Sequence, residues 1–276
     1  MKFSMSAAWN EAMALLRANR QVVLGIAGVF FFLPYLAMFL LMPEYAAAMG
    51  AAGTEQPATM AEALDQATRI YGEIWWAVLL LGLLQGIGML GLLALLTDRQ
   101  RPTVAEALAK GAKYLLPYLG TQILIAIAAV AFVMIPVALG AAAGVGVGLL
   151  AGLVAGPVLI YLLTKFSLST PVIAIEGQLN PFAVLARSWR LTKGNSLRLF
   201  LFYLLLFIVL IVVSMVLGMV IAALTLLAGD EGGLIVSGLF NAVLNLVTVV
   251  IVLAVLAAVH RQLAGPSAAA VSETFE

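Results

Sequence analysis

Between Tyr114 and Thr164 the chain runs for 51 residues without a charged side chain. One helix needs about 20 apolar residues to cross the hydrocarbon of a bilayer, so this run is long enough for two crossings and must turn back once. The breakers Pro136 and Gly140 gather in the 136–148 region, which predicts helices near 117–137 and 142–164. Similar runs predict spans near 22–42, 75–96, 199–227 and 234–259, the last two separated by the Gly-Asp-Glu-Gly-Gly turn at 229–233. Lipid offers the backbone no hydrogen-bond partners, so each spanning segment satisfies its own as a helix. Composition agrees: the chain is 64% hydrophobic and 10% charged, against about 45–50% and about 25% in soluble domains. The expected fold is an all-α polytopic membrane protein. Residues 1–265 form one six-span domain, and 266–276 form a cytoplasmic tail without fixed structure.

The sparse charges test that parse. With six spans, 13 of the 14 basic residues fall on one side: Lys2, Arg17, Arg20, Arg99, Arg101, Lys110, Lys113, Lys165, Arg187, Arg190, Lys193, Arg198 and Arg261. Only Arg69 falls on the other, with Glu44, Glu55, Glu62, Asp65, Glu73, Asp230 and Glu231. Five or seven spans would scramble this bias, so the positive-inside rule puts both termini in the cytoplasm. Ala46-Ala47-Ala48 imitates a leader-cleavage site, but the apolar run before it exceeds the 7–15 residues of a signal sequence. It reads as a span, with a loose Ala, Gly and Pro-rich stretch over 46–58. A net charge of +1 gives no argument for nucleic acid. The absence of cysteine excludes disulfides and thiolate metal sites, and a single histidine leaves no His-based metal cluster.

Three basic segments read as amphipathic helices. Asn180 and Pro181 supply an N-cap and N1 proline, and Gly194 a stop, so 181–193 is one helix. Phe182, Leu185, Ala186 and Trp189 form its apolar stripe beside Arg187, Arg190 and Lys193, as expected of a helix in the headgroup plane. Thr103 and Glu106 make a capping box that opens 104–112. Residues 4–20 set Trp9, Met13 and Leu16 against Glu11, Arg17 and Arg20. One such helix thus precedes each odd-numbered span, predicting three parallel pseudo-repeats of interfacial helix plus hairpin. On the other face Thr59 and Glu62 cap a lead-in helix bearing an Asp65–Arg69 pair at i,i+4.

The segment Thr170-Pro-Val-Ile-Ala-Ile-Glu176-Gly, followed by Asn180-Pro-Phe-Ala-Val-Leu-Ala-Arg187-Ser188-Trp189-Arg190-Leu191-Thr192-Lys193-Gly194-Asn195, resembles the glycerophosphoryl diester phosphodiesterase membrane-domain family and related bacterial six-span inner-membrane proteins. The likeness implies a membrane domain in a bacterial-type inner membrane and carries no catalytic residues across. A metal-dependent phosphodiesterase clusters carboxylates and histidines around its ions, whereas His260 is alone and Glu44, Asp98 and Glu176 are scattered.

Glu176 is the one acidic residue in a loop with five basic ones, placed for a structural ion pair with Arg187 or Arg190. Beside Trp189, the cations Arg187, Arg190, Lys193 and Arg198 suit an anionic lipid headgroup. Gly140, Gly144, Gly148, Gly152 and Gly156 recur every fourth residue and read as a helix-packing seam within the protein or toward a membrane partner or second copy. The intramembrane polar set is Gln85, Gln122, Ser214, Thr225, Asn241, Asn245 and Thr248; interhelical hydrogen bonding is the default role and a hydrated path the alternative. No charged residue enters a span, which argues against proton-coupled transport. His260 and Arg261 are expected to satisfy the last carbonyls of span six and reach the headgroups. The sequence therefore predicts a non-enzymatic membrane organiser or accessory subunit without cofactor. The alternative is a carrier or flippase-like handler of lipids or other amphiphiles.

Overall fold

A computed structural model describes residues 2–42, 45–46, 60–97 and 103–265. The helices are α1 (Met5–Ala18), α2 (Arg20–Leu41), α3 (Met60–Thr97), α4 (Val104–Lys113), α5 (Leu115–Ala143), α6 (Val145–Phe166), α7 (Ser169–Glu176), α8 (Pro181–Thr192), α9 (Ser196–Gly229) and α10 (Gly232–Ala264). No strand occurs among the described residues. Among the described residues six helices are long and apolar enough to cross a bilayer: α2, the Gly72–Thr97 part of α3, α5, α6, α9 and α10. The chain is thus an all-α, multi-pass membrane protein. The expected loose stretch over 46–58, save Ala46, the Thr59 cap and the tail at 266–276 lie outside the described residues.

Two compact units divide the chain. One comprises 19–89 and 207–252. Its core gathers Phe39, Tyr45, Ala46, Ile74 and Leu81, with Tyr35, Met38 and Val78 packed around them. Close approaches occur at glycines: a Cβ on Gly88 would lie 2.5 Å from Phe30 Cβ, and one on Gly238 2.9 Å from Phe39 Cδ1. A Cβ on Gly82, by contrast, would have nothing within 4 Å. Within α2, residues Gly28–Phe32 form a π-helical turn in which Leu33 N donates to Gly28 O. Pro34 follows and contributes no N–H to the ladder, so the wider turn and an outside donor re-satisfy the local carbonyls. The donor is Asn245, whose Nδ2 reaches Phe31 O at 2.9 Å. Asn245 therefore makes the expected interhelical bond. Asn241 does not: its Nδ2 donates to Ser237 O of its own helix at 2.9 Å.

The other unit comprises 1–18, 90–206 and 253–276. Here α5 and α6 form a hairpin that turns on one residue, Gly144, at φ 97°. The turn falls within the expected 136–148 region, at its glycine rather than at its proline: Pro136 stays inside α5, and the helix runs on for 29 residues, about 43 Å. Gly144 is thus the hinge of the hairpin rather than a member of a packing seam. Gly140 and Gly148 do face each other across the turn, where a Cβ on Gly148 would meet Gly140 Cα at 2.7 Å. Gly152 makes only ordinary contact with Pro136, and Gly156 has nothing within 4 Å. The five-glycine seam reduces to one backbone-to-backbone contact.

Candidate functional site

The residues with the richest polar connections lie where α6, α7, α8 and the end of α10 meet. Asn180 caps α8 as expected, its Oδ1 accepting from Phe182 N at 3.0 Å and Ala183 N at 3.4 Å, with Pro181 at the first helical position. The helix ends at Thr192, and Gly194 takes the left-handed conformation at φ 81°. The face α8 buries is Val184, Ser188, Leu191 and Thr192. Its aromatic stripe is turned outward: Phe182 is exposed, and Trp189 is 37% exposed. A helix that hides serine and threonine and presents aromatics is inverted for water but suited to lipid. Likewise α1 buries Ala8 and Ala12 and leaves Trp9 exposed.

Ser188 shows why a hydroxyl is buried. Its Oγ donates to Lys165 O at 2.7 Å, satisfying a carbonyl in the last turn of α6. Thr192, one turn further, donates to Ser188 O at 3.0 Å. Glu176 then ties three helices together. Arg187 Nε donates to both of its carboxylate oxygens, at 2.8 Å to Oε2 and 3.1 Å to Oε1. His260 Nε2 lies 2.9 Å from Oε1. The partner among the arginines is Arg187, not Arg190. His260 is buried against Glu176 rather than extended to headgroups as expected, because a neutral or charged imidazole inside needs a polar partner and the carboxylate supplies one.

The 22 residues of α6 reach about 33 Å, enough to cross the hydrocarbon on their own, and we therefore read Glu176, at the end of α7, as lying outside the spanning segment. Burial alone would raise the Glu176 carboxyl. The hydrogen bonds with His260 and Arg187, helped by their charges, outweigh it and hold the group at about 2.

The end of α10 also holds α1. Ser4 N donates to Gln262 Oε1 at 3.1 Å, and Gln262 Nε2 returns a bond to Ser4 O at 3.4 Å. Arg261 pairs with Glu11 at 3.1 Å, and Phe3 N donates to Asn195 Oδ1 at 2.9 Å. Both expected local devices are present: the Thr103–Glu106 capping box and the exposed Asp65–Arg69 pair at 2.7 Å.

Sequence reasoning missed Lys165. Counted as a loop cation, it sits in the last turn of α6 and is only 3% exposed. Its Nζ stands 5.0 Å from the centroid of the Trp189 ring and 5.5 Å from that of Tyr161. Trp189 meets Tyr161 edge-on at 5.8 Å and Phe166 at 5.9 Å. The available signal was Tyr161 one turn before Lys165, with Phe166 next to it. Of the other expected headgroup contacts, Arg190, Lys193 and Arg198 are exposed, while Arg187 is engaged by Glu176. Gln85 and Gln122 are half-buried, the former in one unit and the latter in the other. No group of three or more metal-ligating side chains occurs among the described residues.

A frame of apolar spanning helices, with polar side chains bonded chiefly where helices begin and end, defines a helical integral membrane protein. Residues 45–263 match the model of a family described as a domain of unknown function (DUF7847). That match covers most of the chain, which belongs to this family. No curated protein and no solved structure matches it.

Proposed function

We propose that the protein is a non-enzymatic organiser or accessory subunit of a bacterial-type inner membrane, with both termini in the cytoplasm, that packs with other membrane proteins or lipids. The observation that carries this reading is the inequality of its spans. None of the apolar window of α5 or α6 is buried, against 44% for α3 and for α10. A hairpin so little used inside the chain is free to meet another helix, and Gly152 and Gly156 on α6 offer a close approach that Gly140 does not occupy. The bonded ends of α7, α8 and α10 supply a fixed base for it. Orientation rests on the 13 basic residues of one side. The resemblance of 170–195 to the phosphodiesterase membrane domains supports a membrane role and lends no chemistry. The amides of Asn241 and Asn245 are spent on backbone carbonyls, which favours an organiser over a carrier lined by them.

Extraction of the full chain with its surrounding bilayer in copolymer discs, followed by native mass spectrometry, tests the proposal. A protein partner or second copy at fixed stoichiometry is expected. A lone protomer across the range of expression levels would overturn it.

A further inference from the structure

Lys165 poses a chemical problem. A lysine is almost never so deeply buried without a partner, yet among the described residues no carboxylate lies within ion-pair distance of its Nζ. Tyr161 and Trp189 present ring faces to it, a cation–π arrangement that shelters the stem and holds the direction of the ammonium. Every fully buried side-chain nitrogen or oxygen among the described residues has a hydrogen-bond partner. The Lys165 ammonium has none, so its tip reaches the surface of the cage. Lys193, exposed just after α8, follows Thr192, whose Oγ1 lies 3.5 Å from Lys165 O. The buried Lys165 thus lies beside the end of α8, which carries the exposed cations Arg190 and Lys193, and no carboxylate pairs with Lys165.

The position along the membrane identifies the anion. Lys165 is the penultimate residue of a helix that just spans the hydrocarbon, which puts it at headgroup depth. Trp189 beside it is the side chain that favours that layer. We propose that Lys165 and Lys193, walled by Trp189 and Tyr161, form a seat for the phosphate of an anionic lipid headgroup. The phosphate oxygens accept hydrogen bonds from the two ammonium groups while the exposed stripe of α8 lies against the acyl chains. Arg187, which sequence alone assigns to the same patch, is excluded because Glu176 takes its guanidinium. The seat rests on the reading of this end as apposed to the membrane, but does not require a protein partner.

The full chain is reconstituted in nanodiscs of phosphatidylcholine with phosphatidylglycerol as the minor lipid, and the lipids retained on the protein are counted by native mass spectrometry. The wild type is expected to retain phosphatidylglycerol selectively. The Lys165→Met/Lys193→Met protein is expected to lose about tenfold of that preference. Lys2→Gln/Arg17→Gln, which removes equal charge from the same unit at residues outside the headgroup patch, is expected to keep it. Lys165→Arg/Lys193→Arg guards against misfolding, since it retains both charges and is expected to keep the preference. Absence of a preference in the wild type, or equal loss in the two charge-removing proteins, overturns the seat. Loss of the preference in millimolar inorganic phosphate, at constant ionic strength, would overturn the lipid assignment in favour of a soluble phosphate. A result on stoichiometric protein partners leaves these outcomes unchanged, so the two proposals fail separately.

Discussion

Helix α8 and the α5–α6 hairpin belong to the same unit and are held by opposite means. The 12 residues of α8 are fixed by directional polar bonds: Ser188 to Lys165 O, Arg187 to Glu176, and the Asn180 cap. The hairpin, with 51 residues in its two helices, has no buried residue in its apolar windows and closes on Gly140 against Gly148. The difference follows from the solvent. Lipid tails are as apolar as leucine, so apolar area drives no helix association there, and close backbone approach has to serve. At the headgroup level water returns, polar groups can be chosen and satisfied, and a short helix can be fixed by a few bonds.

The comparison is broken most severely at the hairpin turn. Gly148→Val is expected to cost about 3 kcal/mol, because its Cβ would overlap backbone atoms of Gly140 and Pro136. Gly156→Val, with open space, is expected to change nothing measurable; thermal unfolding in detergent separates the two. At the polar end, Glu176→Ala leaves Arg187 and His260 without their common acceptor. A loss of about 2 kcal/mol is expected by the same assay. Ser188→Ala removes one buried donor from Lys165 O and is expected to cost about 1 kcal/mol, with α8 still seated.

Acidification sharpens the contrast further. Because the folded carboxyl of Glu176 is depressed to about 2, its stabilising contribution is complete above its ordinary range. That contribution is lost as pH falls from about 4.5 toward 2, when the unfolded chain takes up the proton first. Unfolding midpoints of wild type and Glu176→Gln are expected to converge over that interval, while a wild-type to Gly148→Val difference persists. The smallest effect belongs to the exposed Asp65–Arg69 pair, where Asp65→Ala is expected to cost about 0.3 kcal/mol.

What was legible in the sequence is what depends on neighbours along the chain. The six spans, the Thr103–Glu106 capping box, the Asn180–Pro181 start of α8 and the left-handed Gly194 all follow from hydropathy and local backbone preference. The hairpin turn was legible to the 136–148 region but not to its residue, since proline in a membrane helix need not break it and Gly144 is one of many glycines. Nor was it legible that α8 would bury Ser188 and Thr192, because the carbonyl they serve belongs to Lys165 on another helix. The Glu176–His260 bond joins residues 84 apart, and the Lys165 cage needs α6 and α8 juxtaposed. No periodicity encodes either.

The clasp between Ser4 and Gln262 joins groups 258 positions apart. During synthesis the first helix leaves the ribosome long before its partner is made, and every intervening span must be inserted before those bonds can form. Closing so long a loop is slow and entropically costly compared with forming each hairpin. Although α1 is made before α10, it is therefore seated after it, and a chain in which Ser4 holds Gln262 is one whose α10 has already been inserted.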